Sequence, residues 1–192
     1  DKSHNKLTMK KAISIREAAA DTFGIKIAQD AFSFQLKQLI DRMNFHDKQI
    51  EALDIEIMKY YEQFDCYLHT IPGIGIIGAA TILAEIGDIS RFKNSSALVA
   101  FAGIDPTVRQ SGEFNSTHNH MSKRGSPYLR HAIFLAATTC SFHNSPLNAY
   151  YKKKRDQGKH HLTATGAVAR KLTTVIYAVL RDSKPYEPKK FC

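Results

Sequence analysis

The chain has 192 residues, of which 43% are hydrophobic, enough for one medium-sized domain or a small domain with a helical extension. No apolar stretch approaches the roughly 18 residues that a membrane-spanning helix needs, so no membrane partner is expected. Cys66, Cys140 and Cys192 are widely spaced, which argues against a disulfide scaffold or a zinc ribbon and favours the reducing cytosol of a cell. Because the chain begins with Asp1 and not with Met, we expect a fragment of a longer protein.

The charge of the chain is concentrated in its second half. Overall there are 27 Lys and Arg against 18 Asp and Glu, a formal charge of +9. Residues 1–108 hold 12 basic and 14 acidic side chains (net −2), whereas residues 109–192 hold 15 and 4 (net +11). Such asymmetry favours binding to a polyanion, and nucleic acid above all, because each neutralised phosphate releases counterions. A basic surface that binds no partner is the alternative.

Residues 7–27 predict a short helix, and residues 28–68, which contain neither Pro nor Gly, predict a long one. Within the long helix, apolar side chains recur every 3.5 residues, the pattern of a coiled coil. The two rows of this seam are Leu36, Met43, Ile50, Ile57 and Phe64, and Leu39, His46, Leu53, Tyr60 and Tyr67. We expect a protruding helix or hairpin that forms a homo-oligomer, although a helix packed on its own domain would show the same stripe.

After Pro72 the sequence predicts only short helices. They cover residues 76–86 and a stretch from Ser95 to Ala102, followed by a turn at 103–106 and a long loop or irregular hairpin at 107–125. Ser-Pro pairs at 126–127 and 145–146 mark the starts of helices that run to about 142 and 157, and the last helix covers about 163–180.

The predicted fold class is therefore all-α: a long coiled-coil helix or hairpin followed by a helical domain that contains a helix-hairpin-helix. Residues 1–68 form the oligomerisation region in this interpretation. Residues 69–182 form the DNA-binding domain, and residues 183–192 form a disordered tail.

The helix-hairpin-helix prediction depends on the Pro-Gly-Ile-Gly sequence at residues 72–75. Gly73 and Gly75 would let backbone N–H groups at the start of the following helix approach a phosphate without obstruction by a Cβ atom. Contacts of this kind fix a protein on DNA without reading its sequence. A plain tight turn between two packed helices is the alternative.

A second candidate interface is the cationic run that follows Tyr150 and Tyr151. Its members are Lys152, Lys153, Lys154 and Arg155. Phosphate contact and an ordinary solvated face remain equally open interpretations of this run. His118, His120 and His131 have no Cys or carboxylate at a suitable spacing, so no metal site is expected in this chain.

Six motifs occur in a fixed order and together carry a family resemblance. They are Ile71-Pro72-Gly73-Ile74-Gly75, Leu83-Ala84-Glu85-Ile86-Gly87-Asp88, Arg91-Phe92, Phe101-Ala102-Gly103-Ile104-Asp105-Pro106, Gln110-Ser111-Gly112 and Ser122-Lys123-Arg124-Gly125. This set resembles the carboxy-terminal transposase domain of the bacterial insertion-sequence recombinases related to the Piv and MooV DNA invertases.

The resemblance implies a DNA transposase or site-specific recombinase that acts in the bacterial cytoplasm, at the nucleoid. Members of the family carry an amino-terminal domain whose DEDD carboxylates bind Mg²⁺, use a carboxy-terminal serine as nucleophile, and are guided by a structured RNA. They assemble into dimers and tetramers through the coiled coil. The carboxylate domain is expected to be absent here, so we expect no cofactor in this chain and an inert fragment.

Ser111 is the predicted nucleophile. It lies beside Gly112, which permits close backbone approach, and near Arg109, Lys123 and Arg124, whose charges would hold the phosphate as negative charge builds on it. We expect Arg130 to contact phosphate as well. Ser122 is the second candidate nucleophile. The competing hypotheses are a non-enzymatic helix-hairpin-helix DNA-binding module, in which Ser111 only caps a turn, and a coiled-coil scaffold whose basic half serves solubility.

Overall fold

The computed structural model describes residues 8–22, 29–107, 110–111, 114–115, 120–143 and 146–188. Within these ranges it contains seven α-helices and one short β-hairpin. They are α1 (Met9–Ala20), α2 (Gln29–Tyr61), α3 (Ile76–Ile86), α4 (Ser95–Ala102), β1 (Gln110–Ser111), β2 (Phe114–Asn115), α5 (Pro127–Cys140), α6 (Pro146–Asp156) and α7 (His161–Asp182). Single 3₁₀ turns cover Leu68–Thr70 and Ile89–Arg91. Contacts divide the chain into two compact units, Asp1–Ile50 and Glu51–Cys192.

In the first unit, the apolar side chains of α1 and α2 lie in solvent. Helix α1 has no buried residue, and its start is capped by Thr8, whose hydroxyl accepts a hydrogen bond from the Lys11 backbone N–H at 3.4 Å. The seam residues Leu36, Leu39 and Met43 are each at least half exposed. Exposure of so many large apolar side chains along one helix is costly in water, and within the described residues the stripe stays exposed.

Helix α2 ends at Tyr61, seven residues before the predicted end at Leu68. The Tyr61 side chain is buried, and its hydroxyl donates to the Cys66 carbonyl oxygen at 3.0 Å while it lies 3.1 Å from His69 Nδ1. Burial raises the pKa of the Tyr61 phenol. Because α2 ends at Tyr61, the last two seam positions, Phe64 and Tyr67, lie outside the helix.

The second unit is built around α7, the most deeply buried helix. Ten of its 22 residues are buried, and it packs against α4, α5 and α6, while α3 packs on α5. The largest fully buried side chains on these helices are Ile82, Ile86, Leu98, Leu129, Ile133, Leu172 and Ile176. Each such side chain contributes about 1.5–3 kcal/mol by leaving water, which makes this core the main source of the unit's stability.

The predicted helical character of the chain is confirmed, and several boundaries agree with the structure. Helices α3 and α4 have the predicted limits, and α5 begins at Pro127 behind the Ser126 cap as expected. Helix α5 ends at Cys140, two residues before the predicted end. Helix α7 starts at His161 and not at 163, because His160 Nδ1 accepts from the Leu162 N–H at 3.3 Å and caps it.

The chain after α7 returns to the 3₁₀ turn Leu68–Thr70. The Tyr186 backbone N–H donates to Thr70 Oγ1 at 2.9 Å, and residues 189–192 of the predicted tail lie outside the described ranges. Every helix of the described part is too short or too polar to cross a membrane.

Candidate catalytic hairpin and nucleic-acid interface

Two chain segments run antiparallel between the end of α4 and the start of α5. The Thr107 N–H donates to the His120 carbonyl at 2.7 Å, Ser122 N–H donates to the Asp105 carbonyl at 2.8 Å, and Pro106 and Met121 form a β-bridge. Farther out, β1 pairs with β2 in antiparallel register. We call the paired segments 103–107 and 120–125 the foot of the hairpin.

Ser111 lies in the last paired position of this hairpin. Its backbone pairs with that of Phe114, and Gln110 pairs with Asn115. Only two residues, 112 and 113, separate the paired positions, and they lie outside the described ranges, as do Arg109 and His118. The structure thus places the backbone of the predicted nucleophile in a strand at the outer end of a hairpin whose foot is anchored between two helices.

The foot is held by one carboxylate. Asp105 Oδ1 accepts a short hydrogen bond from Ser122 Oγ, and its Oδ2 accepts from the Arg124 guanidinium at 3.4 Å. The Arg124 side chain is 78% exposed, so its ion pair with Asp105 is weak. The positive charge of Arg124 is therefore largely available to a ligand from solvent. Because the Ser122 hydroxyl donates to a carboxylate inside the foot, its observed role is to fix the two segments to each other.

Two glycines allow the foot to approach α4 closely. Gly103 ends α4 in the left-handed conformation (φ +64°), and its carbonyl accepts from the Lys123 N–H at 3.0 Å. A Cβ atom at Gly125 would lie 1.6 Å from the Phe101 carbonyl oxygen, so only glycine fits. Lys123 has φ +54°, an uncommon conformation for a side-chain-bearing residue, and it turns the chain between these two contacts.

The remaining predicted cation of this region has a structural partner. Arg130 on α5 is half-buried, and its Nη1 donates to the Ala102 carbonyl at 3.3 Å, at the end of α4. A cation at a helix carboxyl end interacts favourably with the helix dipole. Arg130 therefore stabilises the contact between α4 and α5, next to residue 103 where the foot begins.

A second carboxylate joins α3 to this junction. Ser126 Oγ donates to Glu85 Oε2 at 2.5 Å and accepts from the Leu129 N–H at 3.1 Å, which makes Ser126 both the cap of α5 and the link to α3. The negative charge of Glu85 therefore lies beside the amino end of α5, where the helix dipole favours it. Sequence analysis found the Ser126 cap and missed its partner, which is 41 positions away.

The Pro-Gly-Ile-Gly turn presents its two glycines to different surroundings. A Cβ atom at Gly73 would lie 2.8 Å from Cys140 Sγ and 2.9 Å from the Cys140 backbone N, so this glycine packs inward against α5. The Cys140 thiol donates to the Pro72 carbonyl at 2.7 Å, and burial raises the pKa of that thiol to about 11. Gly75, in contrast, is exposed at the start of α3 and has open space around its Cβ position.

The helix-hairpin-helix stays a prediction. The element before the turn is the three-residue 3₁₀ turn Leu68–Thr70, whereas the element after it is the full helix α3. A cavity of about 660 Å³ opens beside the turn, between α3 and α5, and exposes Gly75, Gly78, Tyr128 and His131. Both glycines line this cavity, and Gly75 is the more exposed of the two, whereas Gly73 is partly buried against Cys140.

The cationic run on α6 points in several directions. Lys152 is exposed, and the Lys154 ammonium lies 5.4 Å from the centre of the Tyr150 ring and donates to Gln157 at 3.2 Å. Arg155 donates to the Lys159 carbonyl at 2.8 Å, in the segment that follows the helix. The last member of the run, Lys153, lines a groove between α6 and α7.

Arg170 and Lys171 of α7 face the same region, and sequence analysis did not identify them. They interrupt the otherwise apolar pattern of the last predicted helix, and that interruption is the signal that could have marked them. Among the described residues, no cluster of three or more His, Cys, Asp or Glu side chains could hold a metal ion.

Comparisons with known proteins identify the type of domain. Residues 65–152 match the Transposase IS116/IS110/IS902 family. The chain is 35% identical over 145 residues to the insertion element IS110 43.6 kDa protein of Streptomyces coelicolor, an alignment that covers 74% of this chain and 35% of that protein. It is 31% identical over 172 residues to the pilin gene-inverting protein of Moraxella bovis, which covers 84% of this chain and 52% of that protein.

A third relative is the insertion element IS900 42 kDa protein of Mycobacterium paratuberculosis, 32% identical over 151 residues, with 73% of this chain and 38% of the relative covered. Residues 65–152 therefore match a domain of the IS116/IS110/IS902 transposase family. It spans between a third and about half of the length of these relatives.

Proposed function

We propose that this chain is the part of a DNA transposase or site-specific recombinase that binds DNA and supplies Ser111 as the nucleophile for strand cleavage and exchange. The observation that carries the proposal is the anchored hairpin. Its foot is fixed by Asp105 and by glycine contacts to α4, its outer end carries the Ser111 backbone, and the exposed Arg124 side chain lies at its base. A reacting group has to be held within a fraction of an ångström, and a hairpin anchored between two helices provides such support.

The chemistry proposed for Ser111 is attack on a phosphodiester. The Ser111 oxygen forms a bond to phosphorus, and the bond between phosphorus and one sugar oxygen breaks, with the electron pair leaving on that oxygen. The serine proton goes to a base, and the released sugar hydroxyl takes up a proton. Lys123 and Arg124 would neutralise the non-bridging oxygens, on which negative charge increases in the transition state.

The base and the metal are assigned to another domain in this proposal. The family resemblance implies that DEDD carboxylates of an amino-terminal domain bind Mg²⁺, which would activate the attacking oxygen and stabilise the leaving one. The residues of this chain would then position the nucleophile and the phosphate. A structured guide RNA is the further proposed partner, and the bacterial cytoplasm is the proposed site of action.

Oligomerisation through α2 belongs to the same proposal. Strand exchange between two DNA sites requires at least two active centres near each other, and the exposed seam along α2 offers an apolar surface for a second copy. A two-stranded coiled coil would cover that surface.

A non-enzymatic DNA-binding module is the second candidate, and one observation favours it. Gly75 is exposed at the amino end of α3, with open space around it, and the N–H groups of a first helical turn bind phosphate. This module would bind DNA without forming a covalent bond to it, so the two candidates differ in one measurable product.

The deciding experiment detects a covalent serine–DNA adduct. The full-length protein, its guide RNA and an end-labelled DNA substrate are incubated, and the labelled DNA is examined for a protein-dependent mass shift under denaturing conditions. We expect Ser111→Ala to abolish the adduct while DNA and RNA binding stay nearly unchanged. The comparison variant Ser122→Ala loosens the foot and should slow adduct formation without abolishing it.

Two results would contradict the assignment. An adduct that persists in Ser111→Ala and disappears in Ser122→Ala identifies Ser122 as the nucleophile. If the parent protein binds DNA tightly and never forms an adduct, the chain acts as a binding module only.

A further inference from the structure

Two adjoining cavities form a groove along the contact between α6 and α7. The first has a volume of about 270 Å³ and lies between Pro146, Tyr150 and Lys153 on α6 and Lys171 on α7. The second, of about 430 Å³, lies between the first turn of α4, the Asp105-Pro106 segment and α7. Tyr150 and Lys171 line both cavities, so the two adjoin at these side chains. We call them together the α6–α7 groove.

The groove concentrates positive charge. Lys153 contributes one cation from α6, and Arg170 and Lys171 contribute two from α7. Of the residues that line the two cavities, Asp105 is the one carboxylate, and it already accepts hydrogen bonds from Ser122 and Arg124. The net field in the groove therefore favours an anion.

The wall opposite α7 adds donors suited to phosphate oxygens. Ser95 and Ser96 form the first turn of α4 and line the second cavity. The side chain of Asn94 accepts from the Ala97 N–H at 2.9 Å and so caps the helix at its third residue. Ser95 and Ser96 thus line the same cavity as Arg170.

Tyr150 gives the groove an aromatic surface between its cations. Tyr150 lines both cavities, together with Lys153 in one and Arg170 in the other. Alternation of cations and an aromatic face along a groove is typical of sites for single nucleic-acid strands, in which phosphates contact the cations and bases stack on the ring. In a duplex the bases are stacked inside the double helix, so none of them is accessible for stacking on the ring.

We propose that the α6–α7 groove binds a single nucleic-acid strand, with phosphates on Lys153, Arg170 and Lys171 and a base stacked on Tyr150. Asp105 and Pro106 line the groove and belong to the foot of the hairpin, so a strand bound here would lie next to the hairpin that carries Ser111. Only the statement that the strand lies next to the hairpin of the nucleophile rests on the proposed function; the binding of a strand in the groove does not depend on it.

The test compares charge-matched variants of the complete 192-residue chain. Arg170→Gln with Lys171→Gln removes two charges from the groove, and Arg181→Gln with Lys184→Gln removes two charges from the end of α7, where neither residue lines the groove. Binding of DNA and RNA single strands of about 16 nucleotides, and of the matching duplex, is measured by fluorescence anisotropy at several salt concentrations. Circular dichroism verifies that all variants fold.

For the groove variant we expect single-strand affinity to fall about tenfold or more. The magnitude of the slope of log K against log salt should decrease by about 1.4, because each phosphate contact on a single strand contributes about 0.7. The control pair should change both by much less. Tyr150→Leu removes the ring and keeps an apolar side chain, and should weaken single-strand binding about fivefold or more. Tyr150→Phe keeps the ring and should bind as the parent does.

Three results would overturn the inference: parent-like affinity of the groove variant, an equal loss in the control pair, or a larger loss for the duplex than for the single strand. DNA and RNA strands bound alike support recognition through phosphate and base faces, and a strong preference for either strand identifies the occupant. A parent chain that binds no nucleic acid refutes both this inference and the DNA-binding part of the proposed function. Failure of the adduct assay alone leaves the groove unaffected.

Discussion

Replacing Gly125 with alanine should break the foot of the hairpin. The added Cβ would lie 1.6 Å from the carbonyl oxygen of Phe101, 2.4 Å from its carbonyl carbon and 3.0 Å from the backbone nitrogen of Gly103. All three are backbone atoms, so no change of side-chain rotamer relieves the overlap. Gly125 is not among the glycines with positive φ, so the cost is steric and does not come from its conformation.

The magnitude follows from the hydrogen bonds that the separation removes. Moving residues 122–126 away from α4 breaks the bonds from Ser122 to Asp105 (2.8 Å), from Lys123 to Gly103 (3.0 Å) and from Ser126 to Phe101 (3.0 Å). At about 1 kcal/mol net for each bond, the free energy of unfolding should fall by roughly 3 kcal/mol. For a chain of this size that loss lowers the midpoint of thermal unfolding by about 6–12 °C.

Urea and thermal unfolding followed by circular dichroism at 222 nm would measure the change. Gly78→Ala is the matched control, because it adds the same methyl group inside α3, where the new Cβ lies 3.9 Å from Ile74 Cγ2, an ordinary contact. The control should be stabilised by about 0.5–1 kcal/mol, as expected for glycine replaced by alanine within a helix. A Gly125→Ala variant within about 0.5 kcal/mol of the parent would refute the steric argument.

Two further predictions concern the seam of α2 and the thiol on α5. In a dimer that buries the seam, Ile50→Ala and Leu53→Ala should each weaken association by about 2–5 kcal/mol, as light scattering across a range of concentrations would show, with Lys48→Ala on the outer face as control. A parent chain that stays monomeric at every concentration contradicts this prediction. Burial raises the pKa of the Cys140 thiol from 9.0 to about 11, so its contribution to stability is complete below pH 9 and is lost as the pH rises through about 11. Urea unfolding at about pH 8 and about pH 10.5 measures how far the free energy of unfolding falls between the two pH values, and Cys140→Ala should make this fall smaller. An equal fall in the parent and in Cys140→Ala would show that the thiol does not contribute to it.

Local signals in the sequence predicted several elements well. The Ser-Pro pair at 126–127 marks the start of α5, because a serine cap followed by proline has few alternatives in a helical chain. The end of α2 was not predictable in the same way. The seam continues through Phe64 and Tyr67, so its periodicity carries on, whereas the helix stops because the buried Tyr61 hydroxyl bonds to the Cys66 carbonyl.

The sequence predicts which residues belong to the candidate site, but it does not predict how they contact one another in space. Lys123 and Arg124 attract notice because they are cations near a serine. That Arg124 shares Asp105 with Ser122 depends on the pairing of two segments 17 and 19 positions apart, which no local pattern encodes. Arg170 and Lys171 become candidate binding residues only because α7 packs beside α6, which places them in the same cavity as Tyr150.

The order of the motifs has a physical explanation in the foot of the hairpin. Gly103 and Asp105 lie at the end of α4, Gly125 and Ser126 lie at the start of α5, and backbone hydrogen bonds join the two groups. Glu85, at the end of α3, is bonded to Ser126 at 2.5 Å although 41 positions separate them. Motifs that are far apart along the chain are therefore parts of one junction, and the stretch between them is the hairpin that the junction holds. We therefore expect a change at Glu85 to act on this hairpin through Ser126 at the start of α5, without any contact between Glu85 and the strand that carries Ser111.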